Sequence, residues 1–374
     1  MYNKFGAEIV EDYDTYEKLS KEYNIKIPEI IQVDLNRSGI CLKDGEVRVD
    51  FRVRFKGKIL DDYESWYALP VRNEKDTPFN ISKGVIYFKD KEIGKVNGNL
   101  MLDTCERSYQ RGPHLLNLNS RSRSNCGGCK ACIHNYHQFY DNTVIKDKQA
   151  LITKKDIEEF FDEKNLDVSQ LVQIAVVTGL FRGEENVVSH MKLVNEVAKE
   201  RGFKGELMYF GCEVNSDGAL KELANLGNFS LIYALDNFSK RDMLLAKTKS
   251  LITIENAKDT LERAKNNNIK TTISYISGLD SLESMEEGFK FLKNSFTNFP
   301  VINVYQIQTP EQANILTEEA RDIEYYLKSR RKVEEIFKDT PYRPKRWSNY
   351  RPLWYRYFAD EELPDNSFGQ QEKI

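Results

Sequence analysis

Six short apolar runs, each followed by an amphipathic segment, constrain this chain more than any other feature of its sequence. The runs are HLLNLN (114–119), VQIAVVT (172–178), ELMYFGC (206–212), SLIYAL (230–235), TTISYIS (271–277) and VINVYQI (301–307). Each has strand length and is rich in branched or aromatic residues. Between them, apolar side chains recur at helical spacing: Ile157, Phe160 and Phe161; Val187, Met191, Val194 and Val197; Leu220 and Leu223; Ala257, Leu261 and Ala264. A long helical segment, about 315–338, follows the last run. Repeated strand–helix units imply a parallel sheet with right-handed crossovers. Six units are too few for a closed eight-stranded barrel and enough for an open or partial one. The fold class expected is therefore α/β.

Residues 1–110 read differently. After a first short helix near 12–23, EVRVDFRVRF (46–55) alternates apolar and charged residues with the period of a half-buried strand. GVIYFKDKEIGKVNGNLML reads as a hairpin turning near KDK. The expected organisation is a β-rich N-terminal domain (1–110), the strand–helix domain (111–312), and a C-terminal helix with a basic-aromatic segment (313–374). The extreme C-terminus, DEELPDNSFGQQEKI, is polar and is expected to fray.

Charge and hydropathy narrow the partners. With 55 Lys and Arg against 58 Asp and Glu, the formal net charge is −3, which argues against nucleic acid as the main partner. No apolar run approaches the ~20 residues of a spanning helix, and MYNKFGAEIVEDYD has no apolar signal core. The expectation is a cytoplasmic protein with no membrane association, where thiols stay reduced and clustered cysteines read as ligands or catalysts.

SNCGGCKACIHNYH, residues 124–137, carries three of the six cysteines: Cys126, Cys129 and Cys132. They lie in the connection after the first strand, and in parallel α/β folds chemistry gathers at the carboxyl ends of strands. Gly127 and Gly128 let the backbone turn tightly enough for neighbouring thiolates to converge. Three cysteines on a [4Fe–4S] cluster leave one iron without a protein ligand. A zinc site needs a fourth ligand, for which Cys105, His134 and His137 are available. No cysteine follows Cys132 at the spacing of a two-cluster ferredoxin. Cys41, Cys105 and Cys212 are scattered, and Cys212, ending an apolar run, reads as a small core residue.

This triplet, set after the first of six strand–helix units, resembles the radical S-adenosylmethionine (SAM) superfamily over about 113–310. The resemblance implies a partial (β/α)6 TIM barrel, a [4Fe–4S] cluster held by the three cysteines, and SAM chelated through its amine and carboxylate at the open iron. One-electron cleavage of SAM to a 5′-deoxyadenosyl radical and hydrogen abstraction from a substrate would follow. The sequence departs from the usual Cys-x3-Cys-x2-Cys: its first gap is two residues, and Ala131, not an aromatic residue, precedes Cys132.

Further positions carry over from the same resemblance. Gly183 and Glu184 in TGLFRGEEN match a Gly-Gly-Glu-like segment against the SAM amine, with Arg182 in place of its first glycine. Asp236 and Asn237 fall where polar groups meet the ribose. Ile276 and Gly278 match part of a pattern beside the adenine, whose outer positions here are Ser274 and Ser281. Gln306 and Gln308 lie near the nucleoside, and Glu213 could face the cavity. Arg121 and Arg123 flank the cysteine loop, and guanidinium forks suit anionic groups. The expected substrate is a small polar or anionic biosynthetic metabolite, and a flavodoxin- or ferredoxin-like donor is implied. With no second cysteine cluster after the barrel, auxiliary-cluster members of the family fit less well. The alternative is a non-catalytic zinc- or iron–sulfur-binding module that recruits a partner.

Overall fold

A parallel strand needs a crossover to reach its neighbour and cover on both faces. The amphipathic segments of this chain supply the crossovers and the cover on the outer face, and the curl of the sheet covers the inner one. The structure is a computed structural model; it describes residues 2–43, 48–55, 63–102, 108–111, 114–120, 128–132, 151–177, 181–345 and 349–364. Six strands run parallel: β8 (Leu115–Leu118), β9 (Gln173–Val177), β10 (Glu206–Gly211), β11 (Phe229–Asp236), β12 (Lys270–Ser277) and β13 (Val301–Val304). They pair in sequence order, so every strand lies beside the next one in the chain. That order winds a sheet in one direction towards a barrel, whereas a doubly wound sheet reverses at a switch point. The sheet does not close: it ends at β13 on one side and at β7 (Tyr109–Arg111), antiparallel to β8, on the other. The expected partial barrel is what forms. The antiparallel edge strand is an addition that the sequence did not suggest.

Strand side chains alternate between two layers. Ile174, Val176, Leu207, Tyr209, Leu231, Tyr233, Ile273, Tyr275, Ile302 and Val304 join the large core. The residues between them, Ala175, Met208, Ile232 and Val301, form a separate small cluster with Val177 and Phe210, the lumen of the curled sheet. The outer layer is covered by α3 (Lys154–Glu163), α4 (Glu184–Glu200), α5 (Asp217–Ala224), α6 (Ile254–Asn266), α7 (Leu282–Leu292) and α8 (Ile323–Phe337). Side-chain caps start several of them, from Thr153, Ser216, Thr253 and Ser281. No helix among the described residues is long and apolar enough to cross a membrane.

The N-terminal part is a closed six-stranded barrel of β1 (Ile40–Cys41), β2 (Arg48–Phe55), β3 (Tyr63–Arg72), β4 (Phe79–Ser82), β5 (Val85–Phe88) and β6 (Lys91–Leu102), in the order β1-β3-β2-β6-β5-β4; β2 and the β5–β6 hairpin fall where expected. Two helices precede it: α1 (Tyr13–Tyr23) and α2 (Ile27–Ser38). The second was not foreseen, because it is buried from Glu29 to Ser38 and shows no polar face. Its polar residues find internal partners instead. Gln32 accepts from Tyr67 at 2.7 Å, Asp34 from Tyr16 at 2.6 Å, and Glu29 holds Arg330 of α8. Two buried arginines of the small barrel reach the end of β13: Arg48 donates to Gln306 Oε1 at 3.1 Å and Arg72 to the carbonyl of Ile307.

The C-terminal basic-aromatic segment runs along the free edge of β13, where Val304 donates to Arg351 O at 2.8 Å. Its earlier residues, Tyr342 and Arg343 among them, line a cavity of about 370 Å³ at the amino ends of the strands, together with Gln173, Glu206, Lys270 and Thr272. This is the end of the barrel opposite the cysteine loop.

Candidate functional site

At the carboxyl end of the sheet, three connections meet. The first carries Cys129 and Cys132. Gly128 takes φ +80°, a conformation open to glycine, and Cys132 N donates to Cys129 O at 2.9 Å. Both thiols therefore hang from one tight turn, half-buried. Cys126, Arg121 and Arg123 lie outside the described residues. Among the described residues no group of three or more His, Cys, Asp or Glu side chains is close enough to hold a metal ion.

The second connection, after β11, grips the first. Ala246 N donates to Cys129 Sγ at 3.3 Å, and Lys130 N donates to Leu244 O at 2.8 Å. Arg241 builds this loop. Its guanidinium donates to the carbonyls of Leu235 (2.7 Å), Asn237 (2.6 Å), Lys249 (3.0 Å) and Ile252 (3.1 Å). Burial lowers its pKa. Asp280 fixes the start of the loop, accepting from Phe238 N and Ser239 N, each at 2.8 Å. The third connection follows β13: Gln312 donates to Lys130 O at 3.3 Å and accepts from Gln308 N at 2.7 Å.

A charged pair lies inside this junction. Lys249 bonds Asp236, which sits at a bulge of β11 with φ +69°. Burial works against the ammonium, but Asp236, then Cys212 and Cys129, outweigh it and raise the Lys249 pKa. Asp236 Oδ1 faces Ser274 Oγ at 3.4 Å. Cys212 directly follows β10, and its thiol is pushed up to about 12, chiefly by burial. Sequence reading placed it in the core. It packs in the main buried cluster, as expected, and it also bears on the charge of Lys249.

The other residues singled out in the sequence are placed as follows. Gly183, at φ +89°, precedes α4, and Glu184 is its first residue. Glu184 Oε2 accepts from Asn215 N and Ser216 N, each at 2.9 Å, at the start of α5. Burial opposes its charge, but these donors hold its pKa below the usual value. Glu213 accepts from Phe181 N (3.1 Å), Tyr209 OH (2.6 Å) and Cys212 N (2.8 Å), binding the connections after β9 and β10 together. Ile276 is partly buried. Gly278 has φ +118°, and a Cβ there would stand 3.1 Å from Tyr326 OH and 3.2 Å from Leu316 and Tyr305. Gln306 is engaged by Arg48 and also donates to Ala68 O at 3.1 Å. Asn237 Oδ1 and Gln308 Oε1 are buried acceptors with no partner among the described residues. Arg241, Lys249, Asp280 and Gln312 were missed, because nothing in their local sequence marks them.

No protein-family model matches the chain, and no curated protein matches it. Among solved structures, it is similar to the FeFe-hydrogenase maturase HydG from Carboxydothermus hydrogenoformans. That match has 14% identity and a TM-score of 0.43, covering 63% of this chain and 54% of the other. A second structure of HydG, a maturase of the [FeFe]-hydrogenase, is 11% identical with a TM-score of 0.43, covering 88% and 55%. The chain spans about half the length of these structures.

Proposed function

We propose that this protein is a radical SAM enzyme whose cluster is bound by Cys126, Cys129 and Cys132. The observation that carries the reading is the setting of Cys129. Its sulfur accepts a backbone N–H at the carboxyl end of six parallel strands in sequence order, on a turn that also carries Cys132. That donor set suits a thiolate-ligated cluster, because amide N–H groups directed at sulfur stabilise its negative charge. A cluster with one open iron would chelate SAM and, given an electron, supply a carbon radical for hydrogen abstraction.

The chain's own residues would then bind and orient. Two of the residues assigned by resemblance, Asn237 and Gln308, hold buried acceptors that find no partner among the described residues. Leaving such an acceptor unmet costs about 1–3 kcal/mol, and a bound ligand relieves that cost. Asp236 Oδ1, now facing Ser274 Oγ, would accept from a ribose hydroxyl. Glu184 keeps one carboxylate oxygen beyond the two bonds it makes to the start of α5. Gln306, engaged by Arg48, would act by joining the small barrel to the site. Phe210, Val177 and Ile232 give the lumen an apolar wall that excludes water. The substrate is assigned as a small polar or anionic metabolite and the electron donor as a flavodoxin- or ferredoxin-like protein.

Spectroscopy of the cluster tests this reading. After anaerobic reconstitution with iron and sulfide, adding SAM to the reduced protein should change the electron paramagnetic resonance spectrum, because SAM becomes a ligand. A single bound zinc without iron or sulfide, or a cluster spectrum indifferent to SAM, would refute it.

A further inference from the structure

Lys249 has no counterpart among the positions carried over by resemblance, and its buried pairing with Asp236 calls for a reason. Burying an ion pair is seldom a net gain in stability, since desolvation offsets the attraction. The pair is nevertheless held firmly. Asp236 sits in left-handed backbone at a bulge. Lys249 sits on a loop whose carbonyls at 235, 237, 249 and 252 are gathered by one guanidinium. Three residues before Lys249, Ala246 donates to Cys129 Sγ. Side-chain exposures of 15% and 16% leave little water to screen either charge.

We propose that the Lys249–Asp236 pair sets the reduction potential of the cluster that Cys129 helps to bind. This rests on the cluster reading above. Intact, the pair presents a dipole with no net charge. Reduction adds one electron to the cluster, so an unbalanced neighbouring cation favours it and an unbalanced anion opposes it. A unit charge about 10 Å away at an effective dielectric of ~20 changes the reduced-to-oxidised ratio by about tenfold at fixed potential. That is about 59 mV for a one-electron couple.

The test is a redox titration of reconstituted full-length protein without SAM, followed by electron paramagnetic resonance, with iron counted in every sample. Asp236→Asn leaves the ammonium unbalanced and should raise the midpoint by about tenfold in that ratio. Lys249→Met should lower it, by less where Asp236 takes up a proton. The double substitution should return to within about threefold of wild type, and Lys249→Arg should match it. A midpoint unmoved in Asp236→Asn, or a shift of the same sign in every variant, overturns the proposal, since loosened packing would not reverse sign with charge. Where Lys249→Met fails to keep iron, Asp236→Asn and the double variant decide. A wild-type protein that forms no cluster refutes the parent reading instead, which separates the two failures.

Discussion

Replacing Arg241 by Met should release the loop that grips the cysteine turn without unfolding the barrel. The guanidinium donates to four carbonyls, and Met fills similar space with no donor. A hydrogen bond to a charged group contributes about 1.5–3 kcal/mol, so four would contribute roughly 6–12. Two effects reduce this sum. Removing Arg241 also removes the cost of burying it, the same cost that lowers its pKa, and water can reach part of a loop at the barrel rim. About 3 kcal/mol is a conservative remainder, equivalent to roughly 100-fold in the local opening equilibrium. The amides of Leu244 and Leu245, bonded to Lys240 O and Arg241 O, and of Ala246, bonded to Cys129 Sγ, should report it. Hydrogen–deuterium exchange read by mass spectrometry should show peptides covering 240–250 exchanging about 100-fold faster, with α8 unchanged. Exchange within threefold of wild type in that segment would refute the bracket. So would equal acceleration in α8, which would mean a global loss of stability.

Alanine at Cys126, Cys129 or Cys132 should each abolish the cluster's broad visible absorbance, while Cys41→Ala should leave it intact; retention in any of the three variants would remove that residue from the ligand set. Gly278→Ala should cost about 1–3 kcal/mol for a strained φ, read as a lower midpoint in denaturant titration, since its Cβ would press on Tyr326, Leu316 and Tyr305. Arg330→Met should cost about 3–5 kcal/mol by leaving Glu29 buried without its cation and Glu334 with Arg331 alone, measured the same way. Burial opposes the Glu334 carboxylate, but Arg330, Arg331 and Trp354 hold its pKa below the usual range. Its stabilisation is therefore complete above the unfolded value near ~4.3 and disappears as pH falls through the lower folded value. Tm should drop across that acid range in wild type and less steeply in Arg330→Met; parallel curves would contradict the assignment.

The strand–helix alternation was legible because parallel strands covered on both faces are short, apolar and regularly spaced. All six runs became strands, with ends within about three residues. What the sequence hid has a physical cause in each case. Helix α2 is buried nearly all round, so its polar residues break any amphipathic pattern while bonding internally to Tyr67, Tyr16 and Arg330. Closure of the small barrel depends on the parallel pairing of the two-residue strand Ile40–Cys41 with both Val71–Arg72 and Asn80, which no local signal encodes. Within the site, Asp236 and Asn237 were reachable through resemblance. Arg241 and Lys249 were not, because their partners are carbonyls and a carboxylate brought together only by the loop's path. Gln306 shows a further limit: its place at the end of the sixth strand was legible, while the bond it accepts from Arg48 of the other barrel depends on how the two barrels meet.

The central claim is that this half-barrel cleaves SAM reductively at a cluster held by three cysteines. The most direct measurement is anaerobic: reconstitute the protein with iron and sulfide, add dithionite and SAM, and quantify 5′-deoxyadenosine by chromatography. The account predicts slow formation of 5′-deoxyadenosine without any added substrate, absent in each of the Cys126, Cys129 and Cys132 alanine variants. A protein that holds an intact reduced cluster and binds SAM, yet yields no 5′-deoxyadenosine above the variants, would contradict it.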